Sequence, residues 1–91
     1  MGKFRLEINK EASQDFDKIR KSEDKALIRK VEKIIFELSE HPHTGTGHPE
    51  PLKHNLVGYW SRRLNKKDRI IYQILEDEVI VVVVSALGHY H

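Results

Sequence analysis

The 91-residue chain contains no cysteine, so neither disulfides nor thiolate metal sites stabilise it. That absence suits a reducing cytoplasm. Long apolar runs are missing too: the longest, Val79 to Ala86, is the size of a strand and too short to span a membrane. The N-terminus has no signal-peptide core. Aromatic residues make up only 8% of the chain. These absences exclude a disulfide scaffold and a membrane-spanning apolar run within these residues, and a secreted class is not expected. They leave one soluble intracellular domain with a modest core, small enough to be marginally stable. Glycine and proline are scarce, at five and three, and the three prolines all fall between Pro42 and Pro51.

Charge of neither sign dominates overall, the formal net being +2, but it is unevenly spread. Residues 1–40 carry ten Lys/Arg against nine Asp/Glu. Residues 41–75 carry six Lys/Arg (Lys53, Arg62, Arg63, Lys66, Lys67, Arg69) against Glu50 and Asp68, with four of the six histidines. Residues 76–91 carry three acids and no Lys/Arg. A concentrated basic field favours an anionic partner such as nucleic acid; an ordinary solvated basic surface has the same composition.

Lys3 to Ile8 alternates polar and apolar residues, which predicts a half-buried strand. Asn9 is a plausible N-cap. Ala12, Phe16 and Ile19 at helical spacing predict a short amphipathic helix, and Ser22 is positioned to cap the next. Leu27, Val31, Ile34, Ile35 and Leu38 form one apolar stripe of a second helix, with Lys25, Arg29, Lys30, Lys33 and Glu37 mostly off it. Pro42 stops that helix. Residues 41–49 read as a loop. Its histidines, His41, His43 and His48, lack the fixed spacing that a metal site needs, so solvated histidines are expected and no metal. Glu50 lies between Pro49 and Pro51, whose rings favour extended backbone there. Tyr59–Leu64, Arg69–Leu75 and Val79–Ala86 read as strands joined by short turns, an antiparallel meander. On the first, Tyr59, Ser61 and Arg63 point one way and Trp60, Arg62 and Leu64 the other. The last is apolar on both faces, which predicts a central strand. The fold class is therefore α+β: an N-terminal strand and two helices packed on an antiparallel sheet with a C-terminal three-strand meander.

Tight turns make neighbouring strands antiparallel. Arg69 and the His89-Tyr90-His91 tail are thus expected at the same end of the sheet. Whether Glu50 joins them does not follow from spacing. A carboxylate, a guanidinium and an imidazole, with a phenol and a lysine nearby, would suffice for metal-free RNA cleavage. A base takes the 2′-OH proton, a cation stabilises the phosphoryl oxygens, and an acid protonates the leaving 5′-oxygen. Arginine suits the phosphate by its fork and histidine the acid by its titration near neutrality. Each residue alone has a commoner structural reading: Glu50 as a loop acid, Trp60 as core, Lys53, Arg62 and Arg63 as solvated cations, and the tail as a frayed end.

The runs Pro49-Glu50-Pro51-Leu52-Lys53-His54-Asn55-Leu56, Gly58-Tyr59-Trp60-Ser61-Arg62-Arg63 and Asp68-Arg69-Ile70-Ile71-Tyr72, with His89-Tyr90, resemble the YoeB/Txe branch of the RelE/ParE toxin superfamily. The likeness covers the last half of the chain in motif detail and the whole of it in element order. It implies a RelE-like fold and a ribosome-dependent messenger-RNA endonuclease. Glu50 would be the general base, His89 the general acid, Arg69 the phosphate-stabilising residue and Tyr90 an orienting group. Lys53 would assist at the phosphate, and Arg62 and Arg63 would contact RNA. Trp60 is a further candidate RNA contact. The resemblance also implies a homodimer, a YefM-like antitoxin whose C-terminal segment occludes the site, operator DNA bound only by the toxin–antitoxin complex, and no cofactor. Two features depart from the pattern. His91 follows the His-Tyr pair, leaving His91 as the alternative acid, and the segment Val84–Gly88 is longer than in relatives. The rival readings are an inactive RNA- or ribosome-binding module on this scaffold and a ParE-like gyrase poison, which would lack the acid–Arg–His set.

Overall fold

The computed structural model describes residues 3–53 and 58–88. Strand β1 (Arg5–Ile8) leads into helices α1 (Lys10–Lys21) and α2 (Lys25–Glu40). Four strands follow: β2 (Glu50–Pro51), β3 (Tyr59–Arg63), β4 (Arg69–Leu75) and β5 (Ile80–Gly88).

Both helices begin on side-chain caps, which satisfy a first-turn N–H that has no partner within the helix. The Asn9 carboxamide oxygen accepts from the Ala12 N–H at 2.9 Å, and the Asp24 carboxylate accepts from the Leu27 N–H at 3.1 Å. The cap of α2 is thus Asp24 and not Ser22, whose hydroxyl instead donates to the Ile19 carbonyl at the end of α1. The apolar stripes of the helices pack against one face of the sheet. Ala12, Ile19, Ile34 and Leu38 form a single core with Leu64, Ile70, Tyr72, Val81, Val83 and Ala86.

The five strands form one sheet in the order β1-β5-β4-β3-β2. The meander β3-β4-β5 is antiparallel as expected. The sheet as a whole is mixed and not antiparallel, because β1 pairs parallel to β5, from Arg5 opposite Ile80 to Ile8 opposite Val83. The helical hairpin carries the chain from one sheet edge to the other, so β1 and β2 lie at opposite edges. β5 is hydrogen-bonded on both sides, which fits its continuous apolar run. Its helix-facing Val81 and Val83 are fully buried, and Val82 and Val84, between them, are half-buried.

The β4–β5 ladder is irregular at one end. Leu75 to Tyr72 pair with Ile80 to Val83 one for one, but Ile71 then faces Ser85 and Arg69 faces Gly88. Each slip puts one extra residue into β5, the signature of a β-bulge.

Candidate active site

Glu50 lies in a strand, not in a loop. Its short strand β2 adds to the outer edge of β3, with Glu50 opposite Ser61 and Pro51 opposite Trp60. Backbone bonds extend this pairing on both sides: Arg63 N–H to the Gly47 carbonyl at 2.7 Å and Leu52 N–H to the Tyr59 carbonyl at 2.8 Å. An edge strand tolerates Pro49 and Pro51, which have no N–H to donate. The extended geometry expected of Glu50 is therefore present, fixed by sheet pairing as well as by proline.

Directly opposed residues of a β-ladder share a face of the sheet. Glu50 faces Ser61, Ser61 faces Ile71, Arg63 faces Arg69, and Arg69 faces Gly88. Glu50, Ser61, Arg63, Ile71 and Arg69 thus share the face turned away from the helices. From the spacing of strands and residues, the Cα atoms of Glu50 and Arg69 are about 12 Å apart. Two long side chains can converge on a bound group from that separation without pairing with each other. Among the described residues neither Arg63 nor Arg69 has an ion-pair partner, and Glu50 has only His48, whose Nε2 lies 3.9 Å from its Oε2. Two arginines directly opposed and unneutralised repel each other, so the face is built to favour an anion. The Ser61 hydroxyl, opposite Glu50 in the ladder, is buried and has no hydrogen-bond partner among the described residues. Lys53 follows β2 on the surface. His89, Tyr90 and His91 lie outside the described residues. Gly88, to which His89 is bonded, is opposite Arg69.

Two expected RNA contacts are not on this face. Arg62 is completely buried on the helix side of β3 and spends all five of its N–H donors inside the protein. Its Nε donates to the Tyr72 hydroxyl at 3.2 Å. Nη1 donates to Glu37 Oε1 at 2.6 Å and the Thr46 carbonyl at 3.3 Å, and Nη2 to the carbonyls of His41 at 3.0 Å and Thr44 at 2.7 Å. The expectation that Arg62 contacts RNA is corrected: no donor remains. Trp60 lies on the same inner face, half-buried, with the His43 ring against it edge-to-face at 5.3 Å. That placement gives Trp60 a packing role and takes it away from the Glu50 face.

The Arg62 network holds the 41–49 loop that delivers Glu50. Glu37, expected off the apolar stripe of α2, is buried; it also accepts from the Thr46 N–H at 2.7 Å and hydroxyl at 2.9 Å. Burial opposes its charge, but the Thr46 hydrogen bonds and the Arg62 guanidinium outweigh burial and hold its pKa below the ordinary carboxylate value. For Tyr72, burial pushes the phenol up, against the lowering effect of Arg62. The loop's glycines make this closeness possible. A side chain at Gly45 would collide with the Glu37 carboxylate. At Gly47 a Cβ would stand 2.8 Å from the Arg63 carbonyl, at a φ of +86°. Glu37 stands three residues after Ile34 on α2, and Arg62 alternates onto the Trp60 face of β3; those placements were legible in the sequence, but the pairing of the two was not.

A helical hairpin covers one face of a mixed five-stranded sheet, the fold of solved YoeB-type toxins, and Glu50, Arg63 and Arg69 lie on the other face. A solved YoeB/ParE toxin from Agrobacterium tumefaciens superposes with a TM-score of 0.83 at 28% identity, covering 96% of this chain and 100% of that one. The chain belongs to the YoeB-like toxin family of bacterial type II toxin–antitoxin systems, whose family model matches residues 8–90. Toxin YoeB of Escherichia coli O6:H1 is 41% identical over 68 residues, 75% of this chain and 76% of that protein. A heterotetrameric YoeB–YefM toxin–antitoxin complex from Staphylococcus aureus contains a chain with a TM-score of 0.75 at 28% identity, covering 96% of this chain and 98% of that one.

Proposed function

We propose that this toxin is a ribosome-dependent messenger-RNA endonuclease that cleaves by general acid–base transesterification. The observation that carries the reading is the pair of opposed arginines, Arg63 and Arg69, neither ion-paired among the described residues, on the sheet face that also holds Glu50. Glu50 removes the 2′-OH proton, and the oxygen attacks the adjacent phosphorus. Arg69 binds the phosphoryl oxygens, Lys53 assists there, and His89 gives its proton to the departing 5′-oxygen. The P–O5′ bond breaks as the 2′,3′-cyclic phosphate forms. Tyr90 orients the substrate, and Arg63 contacts the RNA backbone. No step in this scheme calls on a metal or other cofactor. Family membership supports a YefM-like antitoxin as partner, a homodimer, operator DNA bound only through the toxin–antitoxin complex, and a cytoplasmic site of action. Among the described residues no helix is long and apolar enough to cross a membrane.

The test is to map transcript ends in a translating extract. Wild-type protein should produce new message ends bearing a 2′,3′-cyclic phosphate or 3′-phosphate. Glu50→Gln and His89→Ala should each slow cleavage by about 10²–10⁴-fold, while His91→Ala should leave it within about threefold of wild type. Ribosome binding without any new ends would overturn the endonuclease reading, and full activity in Glu50→Gln would remove Glu50 as the base.

A further inference from the structure

Strand β1 covers the outer edge of β5 only as far as Val83, where the Asn9 N–H donates to the Val83 carbonyl at 3.1 Å. β5 runs on to Gly88. Beyond Val83 its outward-pointing backbone groups have no strand to pair with among the described residues, and buried N–H groups need partners. Asp15, on the face of α1 that packs against β5, meets that need. Its Oδ2 accepts from the Ala86 N–H at 3.0 Å and from the Leu87 N–H at 3.3 Å. In a regular strand, successive N–H groups point to opposite sides. Two consecutive ones reaching a single oxygen require an irregular backbone, and the β4–β5 register slips by one residue on each side of Ile71 in this same stretch.

The slips decide what stands beside Arg69. With the one-for-one pairing of Tyr72 and Val83 continued, Arg69 would face Ala86. With both extra residues accommodated, it faces Gly88, and the next residue in the chain is His89. Asp15 is 9% exposed and belongs to the helix on the opposite face of the sheet from Glu50, so it touches no substrate.

We propose that Asp15 is a positioning residue: by holding the Ala86 and Leu87 amides it fixes the bulged end of β5, and with it Gly88 opposite Arg69, the point from which the chain continues into His89. This rests on the endonuclease reading for its consequence, but the anchor itself can be measured without it. In wild-type protein the Ala86 and Leu87 amides should resist hydrogen exchange as strongly as ladder amides such as Val81 and Val83; exchange at the rate of an open strand end overturns the anchor.

The catalytic half is read by single-turnover cleavage on programmed ribosomes. Asp15→Ala should lower the rate at saturation by about 10- to 100-fold, the scale of a misplacement of about 1 Å, with ribosome affinity changed less than about twofold. Asp15→Asn keeps a carbonyl oxygen that accepts both N–H groups and should stay within about threefold of wild type. Equal rates in wild type and Asp15→Ala overturn the role of Asp15. So does a loss in Asp15→Ala that appears only in ribosome affinity, or a loss in a folded Asp15→Asn as large as that of Asp15→Ala. Should Asp15→Ala not fold, the Asp15→Asn rate and the wild-type exchange decide. Wild-type protein that cleaves nothing overturns the endonuclease reading itself, a result distinct from any of these.

Discussion

Arg62 and Arg63 are neighbours in sequence with opposite fates, and the difference is the two-residue period of a strand. Arg63 is exposed on the Glu50 face. Arg62 is sealed against α2, its charge met by Glu37 at 2.6 Å. Removing one member of a buried ion pair strands the other's charge, so Arg62→Ala should destabilise the fold by about 3–5 kcal/mol, measured by urea denaturation. Arg63→Ala should leave stability within about 0.5 kcal/mol. It should weaken ribosome or RNA binding and reduce the steepness of its salt dependence by about one unit; an unchanged salt dependence would exclude a phosphate contact. The alternation that separates the two arginines was legible in the sequence. Which of the two faces the helices cover was not, because that depends on strand order and the direction of the helical hairpin.

At the scale of elements, the 41–49 loop is a built structure. Its composition read as flexible: two glycines, two prolines and three histidines. Its order comes from partners remote in sequence, Glu37 before it and Arg62 after it, whose pairing no local pattern announces. Gly47 is held within the width of a Cβ from β3, so Gly47→Ala brings both a clash and an unfavourable positive φ. It should lower stability by about 1–3 kcal/mol, with cleavage falling as β2 loosens from β3. Glu37 gives a pH signature. Its folded pKa lies below the ordinary value of 4.5, so its ionised form contributes stability above pH 4.5. That contribution is lost as pH falls below 4.5 through the depressed value. Glu37→Gln should be less stable than wild type at neutral pH, and the gap should narrow in acid, as read by denaturation midpoints across that range. A constant gap would mean that the carboxylate's charge is not what matters. β2 and the β5 bulges escaped the sequence reading for one reason. A two-residue strand and a one-residue slip are set by pairing, not by composition.

At the scale of the whole molecule, the helices and the sheet divide the labour. One sheet face carries the core and is closed by α1 and α2; the other carries Glu50, Arg63 and Arg69. The α+β class, the helical hairpin, the meander and the proximity of Arg69 to the last strand's end all followed from periodicity and short turns. The parallel β1–β5 pairing did not, since it joins residues at opposite ends of the chain, and it makes the sheet mixed. It also leaves β5 uncovered beyond Val83, where Asp15 takes over. The central claim is that the open sheet face cuts messenger RNA, with Glu50 as base and Arg69 at the phosphate. The most direct measurement is the single-turnover rate of message cleavage on programmed ribosomes, wild type beside Glu50→Gln and Arg69→Ala at equal ribosome occupancy. The account predicts cyclic-phosphate ends from wild type and a loss of about 10²-fold or more in each variant with its fold intact. Cleavage at the wild-type rate by either folded variant would contradict it.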